Sequence, residues 1–200
     1  MTLPLAARRH WVFDLDGTLT LAVHDFGLIR RELDIPAGQD ILGHLGGLPA
    51  AEAAAKRAWL IAHERELADA SVAAPGAVAL LRGLHARGCE LGILTRNDHA
   101  LARLTLAEIG VEDLFAHEAL IGRDEATPKP HPAGLLLHAA RWAVSPRALV
   151  MVGDHGYDLE AGRAAGAMTV FVGAHNAWPA LSDHAYADCQ ALLGALSVAA

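Results

Sequence analysis

Two hundred residues with 23 acidic and 16 basic side chains, a formal charge of -7, present no basic field for a polyanion, which excludes a nucleic-acid partner. Hydrophobic residues make up 53% and charged ones 20%, which excludes a disordered chain and leaves one domain with room for a small insertion. Cys89 and Cys189 lie far apart in no CxxC or metal-ligand spacing, so both read as reduced, buried thiols suited to a reducing cytoplasm.

The opening "MTLPLAARRH" places its basic pair after a short apolar stretch, the reverse of a secretory signal, and no apolar run approaches the ~18 residues of a membrane span. The expectation is a soluble cytoplasmic protein. "HWVFD" then reads as a buried strand ending at Asp14, followed by Leu15, Asp16, Gly17 and Thr18. An EF-hand loop does not fit, because Gly17 stands fourth from Asp14 rather than sixth. A plain turn after the strand remains open on this stretch alone.

The next strand-like run, "CELGILT", ends only at Thr95. A βαβ crossover takes about 30 residues, so roughly 50 of the intervening positions are surplus. They contain the helix-like "DFGLIRRELDI" and "AAEAAAKRAWLIAHERELADA" and close on "AAPGA", a turn that opens a helix over 76–87. Residues 21–74 therefore read as a helical insertion, with 1–20 and 75–200 forming the main domain. Trp59 reads as core of that insertion. His24, Asp25, Arg30 and Arg31 fall early in it and read as solvated helix or loop residues.

"ILTRND" ends the second strand with a hydroxyl and opens a helix over 99–109, where free N–H groups suit an anion. Thr95 is equally an N-cap or a ligand, and Arg96 and Asn97 follow closely enough to touch what it binds. "TPKPHP" holds Lys129 between two prolines that keep the backbone extended, ahead of a helix over 132–143. Of 16 basic residues only Lys56 and Lys129 are lysines, so a lysine fixed in a rigid loop argues for the compact ammonium over the guanidinium fork. "ALVMVGD" is a third strand, ending at Asp154, and "GDHGYDLEAGRAAG" adds Asp158 on a helix over 157–165; capping accounts for one of these aspartates but not both. "AMTVFVG" is a fourth strand, and "GAHNAW" after it reads as a boundary of the pocket. His131 and His155 read as incidental neighbours of the motifs. The alternation predicts an α/β fold, a Rossmann-like parallel sheet with ligands beyond the carboxyl ends of its strands.

In this order, from Asp14 to Gly166, the four stretches resemble the haloacid dehalogenase superfamily, in its phosphoglycolate phosphatase-like branch with a small helical cap. The resemblance implies Asp14 as nucleophile, Asp16 as general acid and base, and Thr95 and Lys129 as holders of the phosphoryl group, with Arg96 and Asn97 beside them. It also implies Mg2+ on Asp14, the Asp16 carbonyl and Asp154, with Asp158 supporting Lys129 or a metal-bound water. The implied partner is a small phosphorylated metabolite, with the protein a monomer or homodimer and the insertion a cap.

The chemistry asks for the same parts. A carboxylate approaching a phosphate meets about 4 kcal/mol of repulsion per charge pair at 4 Å and an effective dielectric near 20. Metal and lysine offset that. Two residues apart on an extended backbone, Asp14 and Asp16 face the same side, one to attack phosphorus and one to protonate the leaving oxygen. Dehalogenation needs neither the second aspartate nor Mg2+, so the full set favours phosphate chemistry. A phosphosugar mutase shares all four stretches and stands as the alternative. A non-catalytic binding or scaffolding module would be expected to have lost a carboxylate or Lys129, and none is lost.

Overall fold

The computed structural model describes residues 3–22 and 25–198. Apolar runs become strands covered on both sides. These are β1 (His10–Phe13), β2 (Glu90–Leu94), β3 (Leu120–Ile121), β4 (Leu149–Gly153), β5 (Met168–Val172) and β6 (His184–Tyr186). All pair in parallel in the order β3-β2-β1-β4-β5-β6. Strand alternation sorts their side chains into two cores. Trp11, Phe13, Val150 and Val152 meet the helices α4 (Ala77–Ala86), α5 (His99–Glu108) and α8 (Cys189–Val198) on one face. Val12, Leu149 and Met151 meet α6 (Ala133–Arg141) and α7 (Gly156–Ala165) on the other. β1 lies between β2 and β4, where the strand order reverses, so the ends of these three strands open onto one crevice.

Between β1 and α4 come α1 (Phe26–Glu32), α2 (Ile41–Gly46) and α3 (Ala50–Asp69). They close on a core of their own, formed by Ile29, Leu33, Ile35, Leu45 and Leu60, with Trp59 half-buried against it and stacked on His63. The chain enters and leaves this unit through paired backbones: Leu21 N–H donates to Val72 O at 2.9 Å and Ala74 N–H to Leu19 O at 2.8 Å. α3 rests on α5, which brings the insertion over the strand ends. Cys89 and Cys189 are free and buried. Among the described residues no helix is long and apolar enough to cross a membrane.

One core residue gives the fold a pH dependence. His138 on α6 is fully buried, with Nε2–H donating to Ile93 O at 3.0 Å and the ring stacked on Trp142. A Cβ at Gly92 would stand 2.6 Å from its Cε1, so the strand must be glycine there. Burial lowers its pKa to about 4, against the Ile93 carbonyl that favours the proton. Because the folded value is depressed, the unfolded chain binds more protons below the ordinary 6.5, so this contribution is complete above pH 6.5 and is lost as pH falls toward 4. At 1.36 kcal/mol per unit the loss is on the order of 3 kcal/mol. Urea midpoints at pH 7.5 and 5 should fall further for the wild type than for His138→Gln; parallel falls would reject this role.

Candidate active site

The site begins where β1 runs out. Asp14 N–H still donates to Val152 O at 2.9 Å, so its backbone is held as one more rung of the sheet. The chain then curls back, with Leu19 N–H and Thr20 N–H both donating to Leu15 O. Gly17 makes the turn at φ +89°, and a Cβ there would stand 2.5 Å from Asp154 Oδ2. Only glycine meets both conditions. Thr18 Oγ donates to Asp154 Oδ1 at 2.8 Å and lies 3.4 Å from Asp14 Oδ2, tying the loop to the end of β4.

Lys129 reaches this cluster from a tight turn, not from the extended backbone its two prolines suggest. His131 N–H donates to Pro128 O at 3.0 Å and the Lys129–Pro130 peptide is cis, the arrangement of a type VI turn with proline in its third place. The buried ammonium sits 2.5 Å from Asp14 Oδ1 and 2.6 Å from Asp158 Oδ1. Asp158 is also fixed from behind, since its Oδ2 accepts His155 N–H at 3.0 Å while His155 Nδ1 accepts Tyr157 N–H at 3.2 Å. This capping box explains Asp158 together with the ion pair, and His155, not Asp154, is the N-cap of α7.

Thr95 is not an N-cap either. Its N–H donates to Ile121 O at 3.0 Å, and its buried hydroxyl accepts Asn97 N–H at 3.0 Å. α5 starts at His99, where the sequence places it, capped not by Thr95 but by Asp98 through Ala100 N–H and Leu101 N–H. Asn97 is buried, its side-chain oxygen taken by Asp98 N–H. Arg96 lines the cleft but is held from the insertion side. Its guanidinium pairs with Asp40, the N-cap of α2, and lies 4.7 Å over the Tyr157 ring, so it bridges main domain and insertion.

A cleft of about 270 Å³ opens above these groups. Its floor carries Asp14, Asp16, Thr95, Asn97, Lys129 and Asp154. The insertion supplies the facing wall with Phe26, Ile29, Arg30, Ile41, Leu42 and Leu60, flanked by Asp40 and Glu64. Glu64 accepts from Arg123 at 3.0 Å, a second bond between the two units. His155 and Tyr157 line the rim, and Trp178 of the "GAHNAW" segment backs His155 at 4.8 Å without itself lining the cleft. His131 is spent locally on Ala133 N–H. Asp25 caps α1, Arg31 is exposed, and His24 lies outside the described residues.

Charge decides what this floor can hold. Asp14, Asp154 and Asp158 each offer an oxygen within 4.8 Å of the others. Burial, then the charges of Asp14 and Asp158, push Asp154 up to about 7. Burial likewise raises Asp158 to about 6 against the pull of Lys129. Burial alone would lower the Lys129 pKa, but Asp14 and Asp158 outweigh it and keep the ammonium charged. Two buried carboxylates and the half-buried Asp154 against one cation leave negative charge uncompensated, and an all-oxygen donor set fits a hard divalent metal.

A family model described as haloacid dehalogenase-like hydrolase matches residues 9–166. The chain belongs to this family. Among its relatives, a phosphoglycolate phosphatase of Yersinia pestis is 31% identical over 193 residues, covering 80% of this chain and 78% of the relative. A hydrolase from Pseudomonas syringae shares the fold with TM-score 0.78 at 23% identity, covering 96% of this chain and all of the other. A candidate β-phosphoglucomutase from Thermotoga maritima follows the same fold with TM-score 0.69 at 20% identity, over 96% of this chain and 100% of that one. Within this hydrolase fold the sequence did not single out Thr18, Asp40, Glu64 or Tyr157. Only Thr18 left a local signal, a hydroxyl four residues beyond Asp14 on a curling loop.

Proposed function

We propose that the protein is a Mg2+-dependent phosphatase that hydrolyses a small phosphorylated metabolite in the cytoplasm through an aspartyl-phosphate on Asp14. The observation that carries this reading is the buried Lys129 ammonium, held against Asp14 and Asp158 with Asp154 beside them. Asp14 attacks phosphorus, forming an O–P bond as the bond to the leaving oxygen breaks, and Asp16 gives that oxygen its proton. Water then attacks the aspartyl-phosphate, Asp16 takes the water's proton, and phosphate leaves with Asp14 restored. Lys129 and the Thr95 and Asn97 positions hold the phosphoryl oxygens, and Asp158 is a positioning residue for Lys129. Asp14, Asp154 and the Asp16 carbonyl would hold Mg2+, which supplies charge neutralisation at the phosphoryl group. Residues 21–74 act as a cap over the domain formed by 1–20 and 75–200, joined to it by Arg96–Asp40 and Arg123–Glu64.

The test is phosphate release. A panel of phosphate monoesters should yield stoichiometric free phosphate with Mg2+ and none in chelator, without a bisphosphate activator. Full turnover in chelator would reject the metal, and isomerised sugar phosphate with little free phosphate would establish a mutase instead. The relatives named phosphoglycolate phosphatase put 2-phosphoglycolate first on the panel.

A further inference from the structure

The cap wall is apolar apart from three charges, and two of them are already spoken for. Asp40 is held by Arg96 and by Gly43 N–H at 2.7 Å, and Glu64 by Arg123. The third is Arg30, half-buried on α1. Its Nε donates to Gln39 O at 3.3 Å and its Nη1 to Phe26 O at 3.2 Å. No carboxylate lies within ion-pair distance of it among the described residues, whereas Lys129 and Arg96, the other lysine and arginine of the cleft, are each held by one. Two neutral carbonyls therefore orient this guanidinium; Asp40 acts on its charge only from beyond ion-pair distance and is itself held by Arg96, so most of the five donors stay unanswered. A guanidinium pre-set in this way matches a carboxylate or phosphate as a fork. Because it stands on the wall facing Asp14, the group it meets belongs to the leaving portion of the substrate.

We infer that Arg30 is a specificity-determining residue that selects phosphate esters carrying a second anionic group on the leaving portion. The inference rests on the phosphatase reading only for which end of the substrate is the phosphoryl end. A cleft of about 270 Å³ suits a small metabolite. The second anion is a carboxylate or a phosphate, chemistries that Arg30 would bind alike.

The experiment compares kcat/KM for three esters of one skeleton: 2-phosphoglycolate, ethylene glycol bisphosphate and the neutral 2-hydroxyethyl phosphate. The wild type should favour at least one anionic ester over the neutral one by about 10–100-fold, the range of a charge-assisted hydrogen bond, and which one identifies the anion. Arg30→Gln should bring that ratio close to one, and Arg30→Lys should restore part of it. A general folding or closure defect would lower all three esters together and leave the ratio unchanged. Calorimetric titration of Asp14→Asn, with and without Arg30→Gln, with the same esters repeats the comparison without turnover. A wild-type ratio near one, or a ratio that survives Arg30→Gln in both assays, overturns the role of Arg30 while leaving the phosphatase intact. If no ester releases phosphate yet the binding ratio responds to Arg30→Gln, the phosphatase reading fails and the anion site stands.

Discussion

Asp14→Asn is expected to stop phosphate release outright, lowering kcat by more than about 10⁴, as loss of a nucleophile does elsewhere. The side chain keeps its shape, but an amide has no anionic oxygen to attack phosphorus. Folding should not suffer. Lys129 keeps Asp158 at 2.6 Å, and removing one of three crowded negative charges relieves the repulsion that, after burial, raises Asp154. The melting temperature without metal should therefore hold or rise while activity vanishes. That opposition separates chemistry from structure, because a merely structural aspartate would lose both together. Intact-protein mass spectrometry after acid quench should show a phosphorylated wild-type chain and no adduct on the variant. Turnover within tenfold of wild type in Asp14→Asn would remove the aspartyl-phosphate from the mechanism.

What could be read from the sequence depended on whether a residue's neighbours are close in sequence or only in space. β1, β2, β4 and β5 are continuous apolar runs because both faces are covered, and each of the first three delivers a polar residue at its carboxyl end. This made Asp14, Thr95 and Asp154 visible as a set. β3 and β6, at two and three residues, are too short to carry any periodicity, and they exist because longer neighbours supply their backbone partners. α8, "CQALLGALSV", carries no motif and no polar face spaced clearly enough to mark it as a helix from the sequence. The orientation of Arg96 was illegible for a different reason. Its place after Thr95 puts it on the cleft, as expected, but its partner Asp40 lies 56 positions away in the insertion. Arg30 was read as solvated because nothing local distinguishes an arginine facing water from one facing a cleft.

Lys129 should prove nearly as sensitive as the nucleophile, and there the choice of substitution matters more than the loss. Lys129→Ala leaves Asp14 and Asp158 buried without their cation, a loss that can destabilise by about 3–5 kcal/mol unless a proton or metal compensates. Its fall in activity would therefore be ambiguous alone. Lys129→Arg keeps the charge and so isolates geometry. The ammonium is fully buried, with Asp14 and Asp158 oxygens at 2.5 and 2.6 Å on either side, inside a turn closed by Pro128 and His131. A planar guanidinium fits that gap only by displacing one carboxylate, and displacing Asp14 misaligns the attack. Lysine's charge strengthens its grip as negative charge develops on the phosphoryl oxygens, so both variants should lower kcat by about 10²–10³, the cost of one lost oxyanion donor, rather than only raise KM. Lys56→Arg is the control. That lysine is no loose surface charge, since it donates to Leu33 O at 2.6 Å and pairs with Glu52 and Asp34, but it lies outside the cleft. It should shift the melting temperature slightly and leave kcat unchanged. Near wild-type kcat in Lys129→Arg, measured on folded protein, would mean that the site needs a positive charge near Asp14 but not the compact shape of this one.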